Sequence, residues 1–388
     1  VLEPLFGLLL HGGLATGVCQ AAVHCVPEEH TTIQAAVDSA ARGDTVLISA
    51  GTYSGPGNVE VTFRGKDLVV MSREGPQRTI IDCRGEGRGF HLRDDETLDS
   101  RIEGLTIKSG RALPNPIRAG GGILLWASDA RIQDCVLDHC DAYTGGGLSA
   151  LYARVVLERC VFSCNTADLN GGGLEFECLD LLARDCLFVE NWGLEGGGAY
   201  LQTCGTNRFI GCTFTGNYAF MGGGLRSIQH LNLERSIVWG NDAIDHGPEM
   251  YVAYHSIRCC DVDSSGVHSN VDIQYDEDCI FEDPLFCDPR ICLQGVGDWS
   301  LHSDSPCLPQ ESPCGDRIGA LDAGCGPAYP TGACCLPDGS CLVANRLQCL
   351  AESGNYLGDG IPCVPDPCQA NPVQVTRWGR IKEMFREP

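Results

Sequence analysis

The chain has 388 residues, with 51 acidic side chains against 27 basic ones and a formal net charge of −24. So acidic a chain excludes nucleic acid and anionic membrane as partners, because phosphate binding needs a concentrated basic surface, and it suits divalent cations and neutral glycans better. Its 25 cysteines point to an oxidising, extracytoplasmic compartment, either secreted or at the cell surface, since cytosolic reductants keep thiols reduced.

In chain order, residues 1–24 read as the remnant of a secretory signal. The stretch LEPLFGLLLHGGLATG (2–17) is apolar, then small, and too short to span a bilayer. A cut near Ala21 or Ala22 fits it; a lipidated Cys19 or a buried apolar arm are the alternatives. No other stretch is long and apolar enough for a transmembrane helix. Residues 31–41 predict a short amphipathic helix with Ile33, Ala36 and Val37 on one face and Thr31 or Thr32 as its cap. Such a helix would cover the open first coil of a stacked fold, whose edge invites aggregation. Residues 44–110 carry less regular strands, at 46–48, 68–71 and 102–107.

From residue 120 the sequence repeats. Gly-Gly-Gly triplets start at Gly120, Gly145, Gly171, Gly196 and Gly222, in steps of 25, 26, 25 and 26. A fixed period of this size is one unit stacked on itself. An apolar residue follows each triplet: Ile123, Leu148, Leu174, Ala199 and Leu225. Further on comes a cysteine (Cys135, Cys160, Cys186, Cys212; Ser236 in the last unit), then Leu137, Phe162, Phe188, Phe214 or Val238. Each unit ends on Cys140, Asn165, Asn191, Asn217 or Asn241. The units are too short for a βαβ crossover, and alternation such as Val155 and Leu157 has the strand period. Three short strands per coil make a parallel β-helix. Its asparagines would form a ladder in a bend, where Asn tolerates left-handed dihedrals and amides can bond from coil to coil. The cysteine ladder would fill the interior as buried thiols or form vertical disulfides. Cys178 and Cys204 each precede a ladder cysteine by eight residues, so they are equivalent positions and predict a disulfide; Cys140 and Cys164 are a second candidate pair.

Beyond Asn241 the triplets stop. Residues 243–285 are irregular and acidic, with coils interrupted by loops, and 286–326 close the solenoid, which therefore spans 25–326. Residues 331–368 hold six cysteines in 38 residues and little apolar sequence, which predicts a separate module held by three disulfides or by zinc. Residues 369–388 are a linker and a basic tail, either a sorting or docking element or a frayed helix packed on the solenoid end.

GGGL followed by VFSCN, LFVEN and TFTGN resembles the GGA[ILV] and FxxN signatures of the polymorphic outer-membrane-protein repeat, over roughly residues 100–245. The stretch TIQAAVDSAARGDTVLISAGTY (32–53) is similar to the opening of bacterial pectin-lyase-like proteins, and DPLFCDP (283–289) with IGALDAGCG (318–326) resembles their closing coils. The resemblance implies an all-β fold, a right-handed parallel β-helix. It implies no single activity, since this fold hosts lyases, hydrolases, adhesins and inert scaffolds.

Lyases of this fold place acidic calcium ligands and an arginine base on one outer face. Asp134, Arg159 and Asp185 each precede a ladder cysteine and so fall on successive coils, where they could bind calcium or a sugar, or simply pair as alternating charges. Asp94 with Asp95, or Asp138 with Asp141, are candidate carboxylate pairs for glycoside hydrolysis. The acidic stretch 276–284 is either a calcium loop or a solvated one. Trp192 and Tyr218, each just after a ladder asparagine, could hold a glycan by ring stacking. No cofactor is implied beyond possible Ca²⁺, and the assembly state is not legible. The reading is a binding, adhesion or structural protein directed at glycans or a cell-surface component; the alternative is a polysaccharide lyase or glycoside hydrolase.

Overall fold

Strands of two to four residues cannot bury their inward side chains alone, so each must find its partners in the next coil. A computed structural model describes residues 21–112, 117–177, 179–202, 205–288, 297–326, 328, 331–345, 349, 353–364 and 368. In a representative coil the strands are Leu148–Leu151, Val155–Glu158, Val161–Ser163 and Thr166–Ala167. Each pairs in parallel with its equivalent one coil on: Leu148 with Leu174, Val155 with Leu181, Phe162 with Phe188, Thr166 with Trp192. The protein is an all-β parallel β-solenoid.

There are four strands to this coil rather than the expected three, parted by left-handed residues, of which Tyr152 at φ 57° separates the first two. One left-handed residue precedes each ladder cysteine: Asp134, Arg159 and Asp185, with φ of 53°, 51° and 50°. A second precedes each ladder asparagine: Cys164 and Glu190, with φ of 55° and 56°. The asparagines themselves do not take the left-handed conformation expected of them. Their neighbours turn the chain, which frees each amide to point inward. The third strand of each coil belongs to a nine-stranded sheet and the fourth to a five-stranded one. The first two strands of each coil form ladders of one 16-stranded sheet, because Leu225–Glu234 runs through both without a break.

The glycine triplets sit where the coil is thinnest. Gly196 takes a φ of +66°, and a Cβ on Gly172 would stand 2.3 Å from the Trp192 carbonyl oxygen. No other residue fits that approach.

Inside, like stacks on like. Phe162, Phe188 and Phe214 lie parallel with ring centroids 4.7 and 4.6 Å apart, a stacking imposed by strand register. Phe209 meets Phe214 edge-on at 5.3 Å. Cys135, Cys160, Cys186 and Cys212 are buried free thiols. Cys140 is also a free, buried thiol while Cys164 is disulfide-bonded, so the expected Cys140–Cys164 pair does not form. Cys140 instead points inward at the head of the asparagine column, while Cys164 stands at the outer bend. Cys178 and Cys204 lie outside the described residues.

The predicted helix is Ile33–Ser39. Thr32 caps it by accepting a hydrogen bond from the Ala35 amide, and its buried face (Ile33, Ala36, Val37) joins the continuous core that runs to Val262. Thr32→Ala should therefore lower stability by about 1 kcal/mol in urea denaturation. The solenoid's first strand, Val23–Val26, pairs with Thr45–Ile48 and so begins two residues before the expected boundary. Coils continue past Asn241 through Met250–Arg258 and Asp261–Val262 to bridges at Tyr275 and Ile280.

The closing segment is tied by Cys259–Cys314 and Cys287–Cys325. Farther on, Thr331–Cys335 pairs antiparallel with both Cys341–Asn345 and Asn355–Asp359. Cys334–Cys349, Cys335–Cys368 and Cys341–Cys363 bond within this unit, so all six of its cysteines are consumed and none remains for zinc. Among the described residues, no helix is long and apolar enough to cross a membrane.

Candidate functional site

The fourth strand of each coil packs its inward residues against the glycine triplets, where there is room only for small side chains: Ala142, Ala167, Gly193 and Ala219. The alternation of a strand then sends its large side chains outward. Trp192 pairs with Tyr218 in register, and Tyr218 with Asp242. Trp192 and Tyr218 are 39% and 36% exposed, and both face solvent. Two residues on, Leu194, Phe220 and Ile244 are exposed as well, at 38%, 38% and 65%. Reading the sequence for Trp192 and Tyr218 alone missed these three. Their signal is the same alternation, W-x-L, Y-x-F and D-x-I after consecutive ladder asparagines.

The result is an apolar strip crossing three adjacent coils, with side chains repeating at the strand spacing of about 4.8 Å. An exposed apolar row of this kind is a candidate binding surface. Toward the N-terminal end the strip turns polar. Thr166 and Asp141 follow in the same register, Arg111 pairs with Asp141 at 3.2 Å, and Arg118 lies over the Tyr143 ring at 5.0 Å.

Asp134, Arg159 and Asp185 stand at the other bend, on consecutive coils. Arg159 donates two hydrogen bonds to Asp134, each 2.7 Å. That pairing holds the guanidinium more firmly protonated. Asp185 turns instead to Arg317 of the closing segment at 2.7 Å, and Arg317 also meets Asp322 at 3.0 Å. The structure thus divides the expected trio between two ion pairs. An arginine held bidentately by a carboxylate is not poised to take a proton.

Of the other candidates, Asp138 accepts a hydrogen bond from Ser163 at 2.8 Å and pairs with His139 at 2.9 Å. In the acidic stretch 276–284, Asp276 accepts from the Cys259 amide of the preceding coil and Asp283 from the Leu285 amide in a local turn, so both are structural acceptors. Two groups of side chains among the described residues cluster tightly enough for a metal: Cys287, His302 and Cys325, and Asp138, His139 and Cys164. In both, every cysteine is disulfide-bonded and unavailable as a thiolate. Neither group contains Asp134, Asp185 or a residue of 276–284.

No protein-family model and no curated protein sequence matches the chain. Among solved structures it is similar to the pectate lyase Pel9A, at 13% identity and a TM-score of 0.41, covering 79% of this chain and 98% of that one. It is also similar to a pectin methylesterase variant in complex with a hexasaccharide, at 14% identity and a TM-score of 0.30, covering 64% and 80%. Likeness at this level says nothing of activity. The solenoid is established by the strand register described above.

Proposed function

We propose that the protein is an extracytoplasmic β-solenoid that binds an extended glycan through the outer face of its fourth strands, without acting on it chemically. The observation that carries this reading is the exposed strip of Trp192, Leu194, Tyr218 and Phe220, paired in register, with Ile244 beside it on the next coil. Flat apolar rings repeated at one strand spacing match the faces of successive pyranose rings in an extended chain. The polar continuation of the strip at Thr166 and Asp141 offers hydroxyl partners. The disulfide-rich closing region and C-terminal unit fit an oxidising compartment.

The test is retention on a panel of neutral and acidic polysaccharides in affinity electrophoresis, with calcium present. Wild-type protein should be retained on at least one. Two lost ring contacts at about 1 kcal/mol each should make the Trp192→Ala/Tyr218→Ala double variant bind tenfold or more weakly. Equal retention of wild type and double variant would remove the strip from consideration. Release of unsaturated or reducing ends, abolished by Asp185→Ala, would replace binding with catalysis.

A further inference from the structure

The closing segment does not lie flat on the solenoid. It runs back outside the nine-stranded sheet, anchored by Gly319 donating to the Arg235 carbonyl at 2.8 Å and Ala320 donating to the Thr213 hydroxyl at 2.9 Å. Leu187, Val189 and Ala320 bury one another beneath it, and Trp299 and Leu321 pack at their edge. On either side of Trp299 a space remains, about 500 Å³ toward the N-terminal coils and about 510 Å³ toward the C-terminal ones. Glu190 and Trp299 line both.

The chemistry of the walls is one-sided. Trp239 and Phe286 join Trp299 around the second space, and Val136 and Val161 floor the first. Among the described residues, the ionisable groups are the carboxylates Asp138, Glu190, Asp283 and Asp298 and two histidines, and no described lysine or arginine lines either space. Three of the carboxylates have partners: His139 and Ser163 for Asp138, the Leu285 amide for Asp283, and Ser300 for Asp298. Glu190 has none among the described residues. It occupies the left-handed bend before Asn191 and folds over Gly216, where a Cβ would come within 2.3 Å of its Oε1. Burial alone holds its carboxyl above the ordinary carboxylate range. An uncompensated, half-buried carboxylate against aromatic walls is a site that gains by taking up a cation, through both charge and the ring faces.

We propose that the space toward the N-terminal coils binds a linear aliphatic polyamine, with Glu190 pairing an ammonium group and Trp299 and the valines covering the methylene stretches. A metal ion does not suit it, because this space is walled mostly by apolar side chains and its unpartnered carboxylate is single. The strip on the fourth strands is a separate surface, so this inference does not depend on glycan binding.

Titration calorimetry with spermidine at 150 mM salt tests it on the full chain. The expected result is saturable one-to-one binding that weakens about tenfold in Glu190→Gln, the loss of one desolvated charge pair. The exposed Glu86→Gln serves as a control and should leave the affinity unchanged. Absence of one-to-one binding overturns the proposal. Equal weakening in both variants does so too, since that is diffuse attraction to an acidic surface. A cooperative urea transition in Glu190→Gln like that of the wild type shows that the variant is folded.

Discussion

Asn191→Ala should lower the stability of the solenoid by about 2–4 kcal/mol, read as a shift of the urea midpoint with the slope unchanged. The Asn191 amide is fully engaged in the interior. Its Nδ2 donates to the Phe162 carbonyl and to Asn217 Oδ1, both at 2.9 Å. Its Oδ1 accepts from the Asn165 backbone amide at 3.1 Å and from Asn165 Nδ2 at 2.9 Å. Alanine removes these four hydrogen bonds and leaves the Asn165 backbone amide stranded, while Asn165 Nδ2 keeps the Leu137 carbonyl and Asn217 Oδ1 keeps the Asn191 backbone amide. Asn165 and Asn217 are themselves 0% exposed, so water cannot replace what is lost. Each stranded buried group costs about 1–3 kcal/mol, with partial relaxation reducing the sum. A loss below 1 kcal/mol would mean that strand pairing and phenylalanine stacking hold the coils without the ladder. Thr166→Ala, one residue beyond a ladder position but facing outward, should change stability by no more than about 0.5 kcal/mol.

The same ladder shows what a periodic sequence reveals and what it conceals. Register was legible because each unit repeats its residue types at one spacing, so Asn165, Asn191, Asn217 and Asn241 had to stack. How the column ends was not. Asn241 donates to Glu249 at 2.6 Å, and Glu249 also accepts from the Gly240 amide at 2.8 Å. Glu249 lies eight residues beyond Asn241, off the period, and in sequence it is one acidic residue among 51. The bend was misassigned for a related reason. Asn is a common left-handed residue, but here Cys164 and Glu190 turn the chain and the amide does the bonding. Successive equivalence also overreached at Cys140 and Cys164, which belong to neighbouring bends yet point to different sides of the wall. The partner of Asp185 could not be read from periodicity at all, since Arg317 arrives from 132 residues away. The cavity around Glu190 was hidden likewise, because Phe286 and Trp299 reach it from outside the repeat.

Stability should fall as pH rises from 5 to 8, by several kcal/mol, the reverse of the usual behaviour of a carboxylate-rich protein. Three carboxyl groups are buried in the solenoid wall. Burial pushes Glu175 up to about 7, against hydrogen bonds from Thr144 and Ser149. Burial likewise raises Glu249 to about 7, even though Asn241 and the Gly240 amide favour its ionised form. Asp261, beneath the Cys307 thiol, is raised to about 7 by burial, with Glu282 and Asp283 adding repulsion. In the unfolded chain these groups titrate near 4. Between about pH 4 and 7 the folded protein therefore binds more protons than the unfolded one, and its stability declines with pH through that window. A raised pKa of this size corresponds to about 3 kcal/mol for each group taken singly. Self-repulsion within a chain of net charge −24 grows in the same direction. The opposite limb lies lower. Glu60 is brought down to about 2, because contacts with His91 and Arg88 outweigh its burial. Asp44 is lowered by the Ala22 and Ala41 amides. These groups stabilise the fold above their unfolded pKa values, and that contribution disappears as pH falls through the folded ones. Denaturant midpoints should therefore peak near pH 5. Glu175→Gln should flatten the limb between pH 5 and 8, because its amide carries no charge to bury. A midpoint that climbs steadily from pH 5 to 8 would mean that the three carboxyl groups ionise freely in the folded chain.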